Sequence, residues 1–286
     1  MAMIESNSRA RILVAGCGAL GGDIALRLSS ESDVWGLRRN ASRIPAGVQP
    51  VSADLLDRPA LAEAVPGQPD IILYCLTPSS YDDEGYRKAY VEGLQNLLAV
   101  TDTRRLKRLL FISSTSVYGQ DDDSEIDESS IASPRKFSGQ RVLEGEQVAL
   151  TSGLPATVLR LSGIYGPSRR RFLDAVRAGA MNPASPGPFS NRIHEEDAAR
   201  ACVHLISQAL AGNTLENCYL VTDSEPARLD QVVAWVRQQT PCHGPLSDAR
   251  TGGRAGSKRC SNRRLLASGF ELKYPDYRTG YGEMIR

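Results

Sequence analysis

Short apolar runs separated by helical patterns recur along the first 160 residues of the chain. Each run is rich in branched residues and is bounded by Gly, Pro or polar clusters, which is typical of strands buried on both faces. Strands that alternate with helices predict an α/β fold with a parallel, doubly wound sheet. The predicted strands are Arg11 to Ala15, Val34 to Leu37, Val48 to Ser52, Ile71 to Leu76, Leu109 to Ser113 and Thr157 to Leu161.

The longest helical patterns span Tyr81 to Thr101 and Pro134 to Thr151, with apolar residues three and four positions apart. Ser133 is the predicted cap of the second helix, with Pro134 at its first position. After the first strand, Leu20 continues into Ile24 to Leu28 with helical spacing. The chain therefore opens with a strand, a turn and a helix.

The character of the chain changes after about residue 163, where Gly, Pro and Ser become dense over 163–188 and again over 241–257. Further helices are predicted near 195–210 and 229–239, with a strand near 218–222. We therefore predict a domain over 10–162 and a smaller C-terminal α/β region over 163–286, on the substrate side and interleaved with the first.

Charge and composition favour small-molecule partners. The 286 residues are 41% hydrophobic and carry 34 basic and 33 acidic side chains, a net charge of +1, so no global field attracts nucleic acid or anionic lipid. No apolar run approaches the ~20 residues of a membrane span, and the first nine residues lack the apolar core of a secretory signal. Six dispersed cysteines and three histidines do not form a zinc pattern. A cytoplasmic protein without nucleic-acid, membrane or metal partners is expected.

The segment Gly16-Cys-Gly-Ala-Leu-Gly21 is a G-x-G-x-x-G motif placed between the first strand and the first helix. In that context the motif indicates a Rossmann-type dinucleotide site. Gly16 permits the turn, Gly18 lets the backbone approach a pyrophosphate, and Gly21 allows close packing of helix on strand. Ala19 and Leu20 open the helix whose N-terminus receives the anion. The alternative is an ordinary glycine-rich turn.

Arg38 and Arg39 end the second strand, where an NAD-specific site usually carries an acidic residue. Guanidinium groups there suit the 2′-phosphate of NADP, so NADP(H) is favoured over NAD(H). The alternative is a pair of exposed loop arginines. Asp54 either accepts from the adenine amino group or caps a helix. Leu76, at the end of the fourth strand, completes the predicted contacts.

Several motifs, in order and with matching spacing, resemble the extended short-chain dehydrogenase/reductase family of nucleotide-sugar epimerases and dehydratases. They are the glycine motif, Phe111-Ile-Ser-Ser-Thr-Ser-Val-Tyr-Gly119, Leu159-Arg-Leu-Ser-Gly-Ile-Tyr-Gly-Pro167 and Ile193-His-Glu-Glu-Asp-Ala-Ala199. The resemblance implies that Ser114 holds the substrate hydroxyl or carbonyl. A hydroxyl at the carboxyl end of the fifth strand also lies where such sheets bind ligands, although it can equally satisfy backbone groups.

The resemblance breaks at the catalytic Tyr-x-x-x-Lys pair of the family. Phe137 stands at the tyrosine position and Arg141 at the lysine position, and a phenyl ring cannot move a proton. Arg141 keeps the charge and is able to hold a ribose or a phosphate. Tyr90 replaces the asparagine that helps order the family's proton relay. The chain thus resembles the branches of the family that lack the tyrosine.

Four side chains are candidates for the missing acid: Lys136, Ser138, Tyr118 and Tyr165. The catalytic set predicted from the sequence is Ser114, Tyr118 and Arg141, although tyrosines in such motifs more often pack structurally. His194 is better explained as a capping or core histidine than as a titrating group.

Three functions remain open. The first is an NADP(H)-dependent oxidoreductase acting by hydride transfer on a carbonyl or nucleotide-sugar-like small molecule. The second is a non-catalytic NADP(H)-sensing regulator that binds a protein partner, and the third is a nucleotide bound only for stability. The resemblance also implies a homodimer through the two long helices.

Overall fold

The computed structural model describes residues 9–244, 246–251 and 256–286. The strands are β1 (Ala10–Ala15), β2 (Ser32–Arg38), β3 (Gln49–Ser52), β4 (Ile71–Tyr74), β5 (Arg108–Ser114), β6 (Glu125–Ile126), β7 (Ala156–Leu161), β8 (Gly163–Tyr165), β9 (Phe189–Ser190), β10 (Arg192–His194), β11 (Cys218–Val221), β12 (Ala227–Arg228) and β13 (Arg259–Cys260). The helices are α1 (Ala19–Leu28), α2 (Arg58–Ala64), α3 (Asp83–Arg87), α4 (Gly93–Val100), α5 (Phe137–Leu150), α6 (Arg171–Arg177), α7 (Glu195–Leu210), α8 (Leu229–Gln239), α9 (Arg263–Ala267) and α10 (Tyr277–Ile285).

Seven strands form one central parallel sheet in the order β11-β7-β5-β4-β1-β2-β3. Val14 of β1 pairs with Gly36 of β2 on one side and with Leu73 of β4 on the other. The chain reverses direction across the sheet between β1 and β4, which is the position where doubly wound sheets bind ligands. The predicted α/β fold of Rossmann type is confirmed.

Apolar side chains of the central strands are fully buried because both faces of the sheet are covered. Leu13, Ile72 and Leu109 have no exposed surface, and they pack in one core with Leu94 and Leu97 of α4. Continuous apolar runs, rather than alternating ones, are what a parallel sheet requires.

The chain divides into two compact units whose segments alternate along the sequence. The first contains residues up to 112, 144–158 and 202–217, and the second contains 113–143, 159–201 and 218–286. Residues 113–143 come before residue 162 but belong to the second unit, and residues 202–217 come after it but belong to the first. The two units therefore do not correspond to a single division of the chain after residue 162. The functional division into a cofactor domain and a substrate region stays a prediction.

The predicted helix over 81–101 is interrupted, because α3 and α4 are joined by a π-helical turn at Lys88–Glu92. The Tyr74 hydroxyl donates to the Ala89 carbonyl oxygen at 2.6 Å. A side chain that inserts into the helical hydrogen-bond ladder in this way produces such a turn. Gly93 makes room for it, since a β-carbon there would lie 2.6 Å from the Tyr74 hydroxyl.

The prediction that α5 begins at Pro134 is wrong, because the helix starts three residues later, at Phe137. The Gln140 N–H donates to the Lys136 carbonyl oxygen at 3.0 Å. The Ser133 backbone packs instead against Gly119, where a β-carbon would lie 2.1 Å from the Ser133 carbonyl oxygen. A contact distant in sequence thus overrides the local signal of Ser133 and Pro134.

Candidate functional site

The loop after β1 turns sharply at Gly16, whose φ is +93°. A β-carbon at Gly16 would lie 2.2 Å from the Cys75 carbonyl oxygen, so a larger residue does not fit. The Gly16 and Cys17 N–H groups both donate to the Leu37 carbonyl oxygen, at 3.0 and 3.1 Å. The loop is therefore held between β2 and the segment that follows β4.

The other two motif glycines differ in their surroundings. A β-carbon at Gly21 would lie 2.4 Å from the Gly16 carbonyl oxygen, so Gly21 lets α1 pack on the loop. A β-carbon at Gly18 would lie 4.0 Å from its nearest neighbour, the Gly16 carbonyl oxygen, so there is open space at this position. Gly18 precedes α1, which starts with Ala19 and Leu20 and has no side-chain cap from the described residues. Open space beside uncapped helical N–H groups suits a phosphate.

Leu76 and Asp54 differ in how close they come to this loop. The Leu76 side chain lies 2.8 Å from the position that a β-carbon of Gly16 would take, so it contacts the loop. Asp54 accepts a hydrogen bond from the Leu56 N–H at 3.0 Å, in a turn after β3. The cap of α2 is Asp57, not Asp54, which excludes the capping alternative. The adenine contact of Asp54 stays a prediction.

Arg38 is attached to the glycine loop by its own side chain. Its Nη1 donates to the Cys17 carbonyl oxygen at 3.1 Å and to the Arg43 carbonyl oxygen at 3.3 Å. Arg39 is exposed, and its carbonyl oxygen accepts from the Ser52 hydroxyl at 3.1 Å. One guanidinium is thus fixed beside the loop, and a second lies on the adjacent surface. The glycine cradle and the side chains around it fit a dinucleotide cofactor.

In the second unit, Ser114 lies at the end of β5 and begins the short 3-10 turn Thr115–Val117. Its Oγ accepts a hydrogen bond from the Ser116 N–H at 3.1 Å. The side chain is partly buried. Because the oxygen is used as an acceptor, the hydroxyl proton remains able to be donated to a substrate oxygen.

The first turn of α5 packs against the turn that contains Ser116. A β-carbon at Gly139 would lie 2.5 Å from the Ser116 carbonyl oxygen, so glycine permits the approach. Phe137 is the first residue of α5, and Arg141 lies one helical turn later; both are partly buried. The structure therefore brings the elements of Ser114 and Arg141 together within one unit.

Tyr118 is tied into the second unit by two hydrogen bonds. Its hydroxyl donates to the Asp127 carbonyl oxygen at 2.9 Å and accepts from Arg160 Nη1 at 2.6 Å. Burial raises the pKa of the Tyr118 phenol, and Arg160 lowers it by less. This geometry gives Tyr118 a structural role, and its catalytic role stays a prediction.

Tyr165 and His194 are also buried in the second unit. The Tyr165 hydroxyl lies against Gly280, where a β-carbon would be 1.9 Å away. His194 Nδ1 accepts from the Glu196 N–H at 3.3 Å, at the start of α7. Burial lowers the pKa of His194, and neighbouring acidic residues raise it by less. The interpretation of His194 as a capping, core-packed residue is confirmed.

Tyr90, in the π-helical turn, is a candidate that the sequence did not single out as a proton donor. Its ring lies between Tyr86 and Phe111, at centroid distances of 5.6 and 6.3 Å. Its hydroxyl forms no hydrogen bond with the residues that the structure describes. Burial, with smaller effects from Tyr86 and Cys75, raises the pKa of this phenol. The only sequence signal was its place where the resemblance expects asparagine.

The described residues form neither a metal-binding cluster nor a helix able to span a membrane. No group of three or more His, Cys, Asp or Glu side chains within those ranges is arranged to hold a metal ion. Among the helices they form, none is long and apolar enough to cross a membrane.

Residues 12–220 match the model of the NAD dependent epimerase/dehydratase family. A Methylobacillus flagellatus structure, provisionally described as an NAD-dependent epimerase/dehydratase, is 39% identical with a TM-score of 0.82, covering 96% of this chain and 97% of that one. Protein YeeZ of Escherichia coli K12 is 32% identical over 195 residues, 65% of this chain and 66% of YeeZ, just under two thirds of its length. A Streptomyces 3-diazoavenalumate denitrifying reductase is 28% identical over 239 residues, 76% of this chain and 77% of that protein.

Proposed function

The chain belongs to the NAD-dependent epimerase/dehydratase family, and from this premise we propose that it is an NADP(H)-dependent oxidoreductase. Its substrate is a small molecule with a carbonyl or a conjugated double bond, with nucleotide sugars among the candidates. The observation that carries the proposal is the glycine loop, where open space at Gly18 adjoins the uncapped start of α1.

The preference for NADP(H) over NAD(H) rests on Arg38 and Arg39. Arg38 is held beside the loop by its bond to the Cys17 carbonyl oxygen, and Arg39 is exposed next to it. The end of β2 offers no carboxylate of its own to bind a ribose 2′-hydroxyl. Two guanidinium groups there favour a cofactor that carries a 2′-phosphate.

Reduction of a carbonyl requires a hydride at carbon and a proton at oxygen. The nicotinamide, when bound, supplies the hydride. Ser114 supports the second requirement, because its hydroxyl can donate to the oxygen as negative charge develops there. Arg141, in the place of the family's lysine, would bind the ribose or a phosphate of the cofactor.

Tyr90 is the phenol that we propose as proton donor in place of the tyrosine absent at Phe137. Its hydroxyl has no partner among the described residues. It lies near Cys75, whose carbonyl oxygen contacts Gly16 of the glycine loop. The phenol is protonated at neutral pH, so it can donate a hydrogen bond, and then its proton, to the substrate oxygen that becomes an alkoxide when hydride arrives at the carbon.

One of the curated relatives supports a reductive chemistry. The Streptomyces relative is named as a reductase, and it covers 76% of this chain. Oxidation of a plain alcohol requires a general base to remove the hydroxyl proton. Reduction of an activated carbonyl or double bond requires only a proton donor, so it is easier to reconcile with a site that lacks the family's tyrosine.

The second candidate function is a non-catalytic NADP(H) sensor that binds a protein partner. Phe137 supports it: this residue begins α5 and cannot transfer a proton, and the resemblance assigns it the position of the family's tyrosine. The two functions agree on cofactor binding and differ in turnover.

Consumption of NADPH across a panel of aldehydes, ketones, enones and nucleotide sugars separates them. An enzyme oxidises NADPH with at least one panel member, and Tyr90→Phe and Ser114→Ala each lower that rate by about 10²-fold or more while the NADPH affinity stays the same.

Tight NADPH binding without turnover of any panel member would favour the sensor. Equal rates in wild type and both variants would remove Tyr90 and Ser114 from the mechanism while leaving the enzyme itself in place.

A further inference from the structure

Three buried residues of the second unit, Tyr165, Arg192 and Asp223, each carry a polar atom without a partner among the described residues. They are only 3%, 6% and 1% exposed. The atoms are Tyr165 Oη, Arg192 Nη1 and Asp223 Oδ2, and none of them forms a hydrogen bond within the described part of the chain. A buried polar atom left in this state costs free energy, so native proteins rarely keep several together.

The three groups belong to one place in the fold. The Asp223 N–H donates to the Arg192 carbonyl oxygen at 2.8 Å. Tyr165 of β8 pairs with His194 of β10, and Arg192 lies two residues before His194. Side chains two positions apart on a strand share a face, so Arg192 and Tyr165 are on the same side of this strand pair.

Electrostatic effects agree with this proximity. Burial raises the pKa of Tyr165, the Asp223 carboxyl raises it further, and Arg192 lowers it. The Arg192 and Asp223 side chains nevertheless form no ion pair with each other. Arg192 Nη2 donates instead to Ser190 Oγ at 2.5 Å, and Asp223 Oδ1 accepts from the Glu225 N–H at 3.3 Å. Buried polar groups that lie close together without contacting one another are often bridged by an ordered water molecule.

Aromatic rings surround these groups and limit the size of such a bridge. The Tyr165 ring packs on Tyr281 at a centroid distance of 4.4 Å. The Arg192 guanidinium lies over the Tyr277 ring at 5.4 Å. The Tyr165 hydroxyl is pressed against Gly280 of α10. The bridging group must therefore be small and must both donate and accept hydrogen bonds.

We propose that Tyr165, Arg192 and Asp223 bind at least one buried water molecule, which bridges Tyr165 Oη, Arg192 Nη1 and Asp223 Oδ2. Water meets each requirement, because the guanidinium donates to it, the carboxyl accepts from it and the phenol can do either. It links β8, β10 and the segment after β11 beneath α10.

A high-resolution crystal structure of the full chain tests the site directly. A spherical density peak within hydrogen-bonding distance of all three atoms is expected. An empty space there, or density for a larger molecule, would overturn the assignment to water.

The variant Tyr165→Phe gives a second test through the midpoint of urea unfolding. A bridging water loses one of its partners in this variant, so the midpoint falls. If no water is bound, the variant only removes a buried hydroxyl that has no hydrogen-bond partner, and the midpoint stays the same or rises. Either of these results contradicts the proposal.

Tyr277→Phe is the matched control. Tyr277 is a buried ring of the same core, and its hydroxyl makes no hydrogen bond to the described residues. This variant is expected to leave the midpoint unchanged.

Discussion

At the scale of single residues, the hydrogen bonds of its hydroxyl group determine whether a tyrosine has a structural role or can act as a proton donor. Tyr118 both donates and accepts within the second unit. Tyr90 has no partner among the described residues and lies near Cys75, beside the glycine loop. The same phenol therefore serves as a structural tie at one position and as a candidate acid at the other.

Tyr118→Phe is predicted to lower the free energy of unfolding by about 1–3 kcal/mol, since the bonds to Arg160 and Asp127 are lost from a buried site. Urea unfolding measures the change, and titration with NADPH serves as the control. An unchanged stability together with lost turnover would restore Tyr118 as a catalytic residue.

Asp223→Asn is predicted to flatten the dependence of stability on pH. Burial raises the pKa of Asp223 to about 8, against a smaller opposing effect of Arg192 and with Glu225 and Asp276 nearby. The folded state holds a proton that the unfolded state releases above its ordinary pKa of about 3.9, so stability falls from about pH 4 to pH 8.

This loss is at most about 1.4 kcal/mol per pH unit, and the uncharged amide of the variant cannot contribute to it. Urea midpoints of both proteins at pH 5 and pH 9 check the prediction. The urea midpoint of the variant should rise relative to that of wild type between pH 5 and pH 9. An equal change of midpoint in both proteins would show that the pKa of the carboxyl is not perturbed.

The residue roles that the sequence could predict were those fixed by local geometry, such as Gly16 and Gly21. The bond between Tyr118 and Arg160 joins residues 42 positions apart, so no local pattern announces it. The isolation of Tyr90 depends on its packing against Phe111 in another element. For these, only the folded structure shows the partner.

At the scale of elements, the segment from β1 through the loop to α1 was predictable because its signals are short-range. Strand, glycine spacing and helical pattern all follow within twenty residues. The π-helical turn was not predictable, because it depends on the Tyr74 hydroxyl reaching the Ala89 carbonyl oxygen. Apolar spacing is nearly the same for an α-helix with or without one such turn.

Gly18→Ala and Gly21→Ala form a matched pair for this element. A β-carbon at Gly18 meets open space, so the variant should fold normally yet bind NADPH more weakly, because the methyl group occupies the predicted phosphate space. Gly21→Ala forces a contact at 2.4 Å with the Gly16 carbonyl oxygen and should lower stability by about 1–3 kcal/mol.

Circular dichroism, thermal unfolding and NADPH titration of both variants check these expectations. Normal NADPH affinity in Gly18→Ala would show that the cofactor does not use the loop as proposed.

At the scale of the whole molecule, the parallel sheet was predictable from alternation alone, whereas the composition of the two units was not. Residues 113–143 belong to the second unit although they begin within β5 of the central sheet, and α7 contributes to both units. Alternation of strands and helices records the order of elements but not which segments pack together. The homodimer remains a prediction that light scattering can test.

Cofactor binding should stabilise the whole chain by mass action. At a free NADPH concentration of about 100 times Kd, the gain is about 2.7 kcal/mol, and the midpoint of thermal unfolding should rise with cofactor concentration. Differential scanning fluorimetry over a concentration series measures this, with ATP as the control nucleotide. An equal rise with ATP would indicate a general nucleotide effect.

The central claim is that the glycine loop with Arg38 and Arg39 binds NADP(H). Its most direct test is calorimetric titration of wild type and the Arg38→Ala, Arg39→Ala double variant with NADPH and with NADH. Wild type should bind NADPH more tightly, and the double variant should lose on the order of tenfold to a hundredfold in NADPH affinity. The loss for NADH should be much smaller, because it reflects only the bond from Arg38 to the Cys17 carbonyl oxygen. An equal loss for both cofactors, or no binding of either by wild type, would contradict the account.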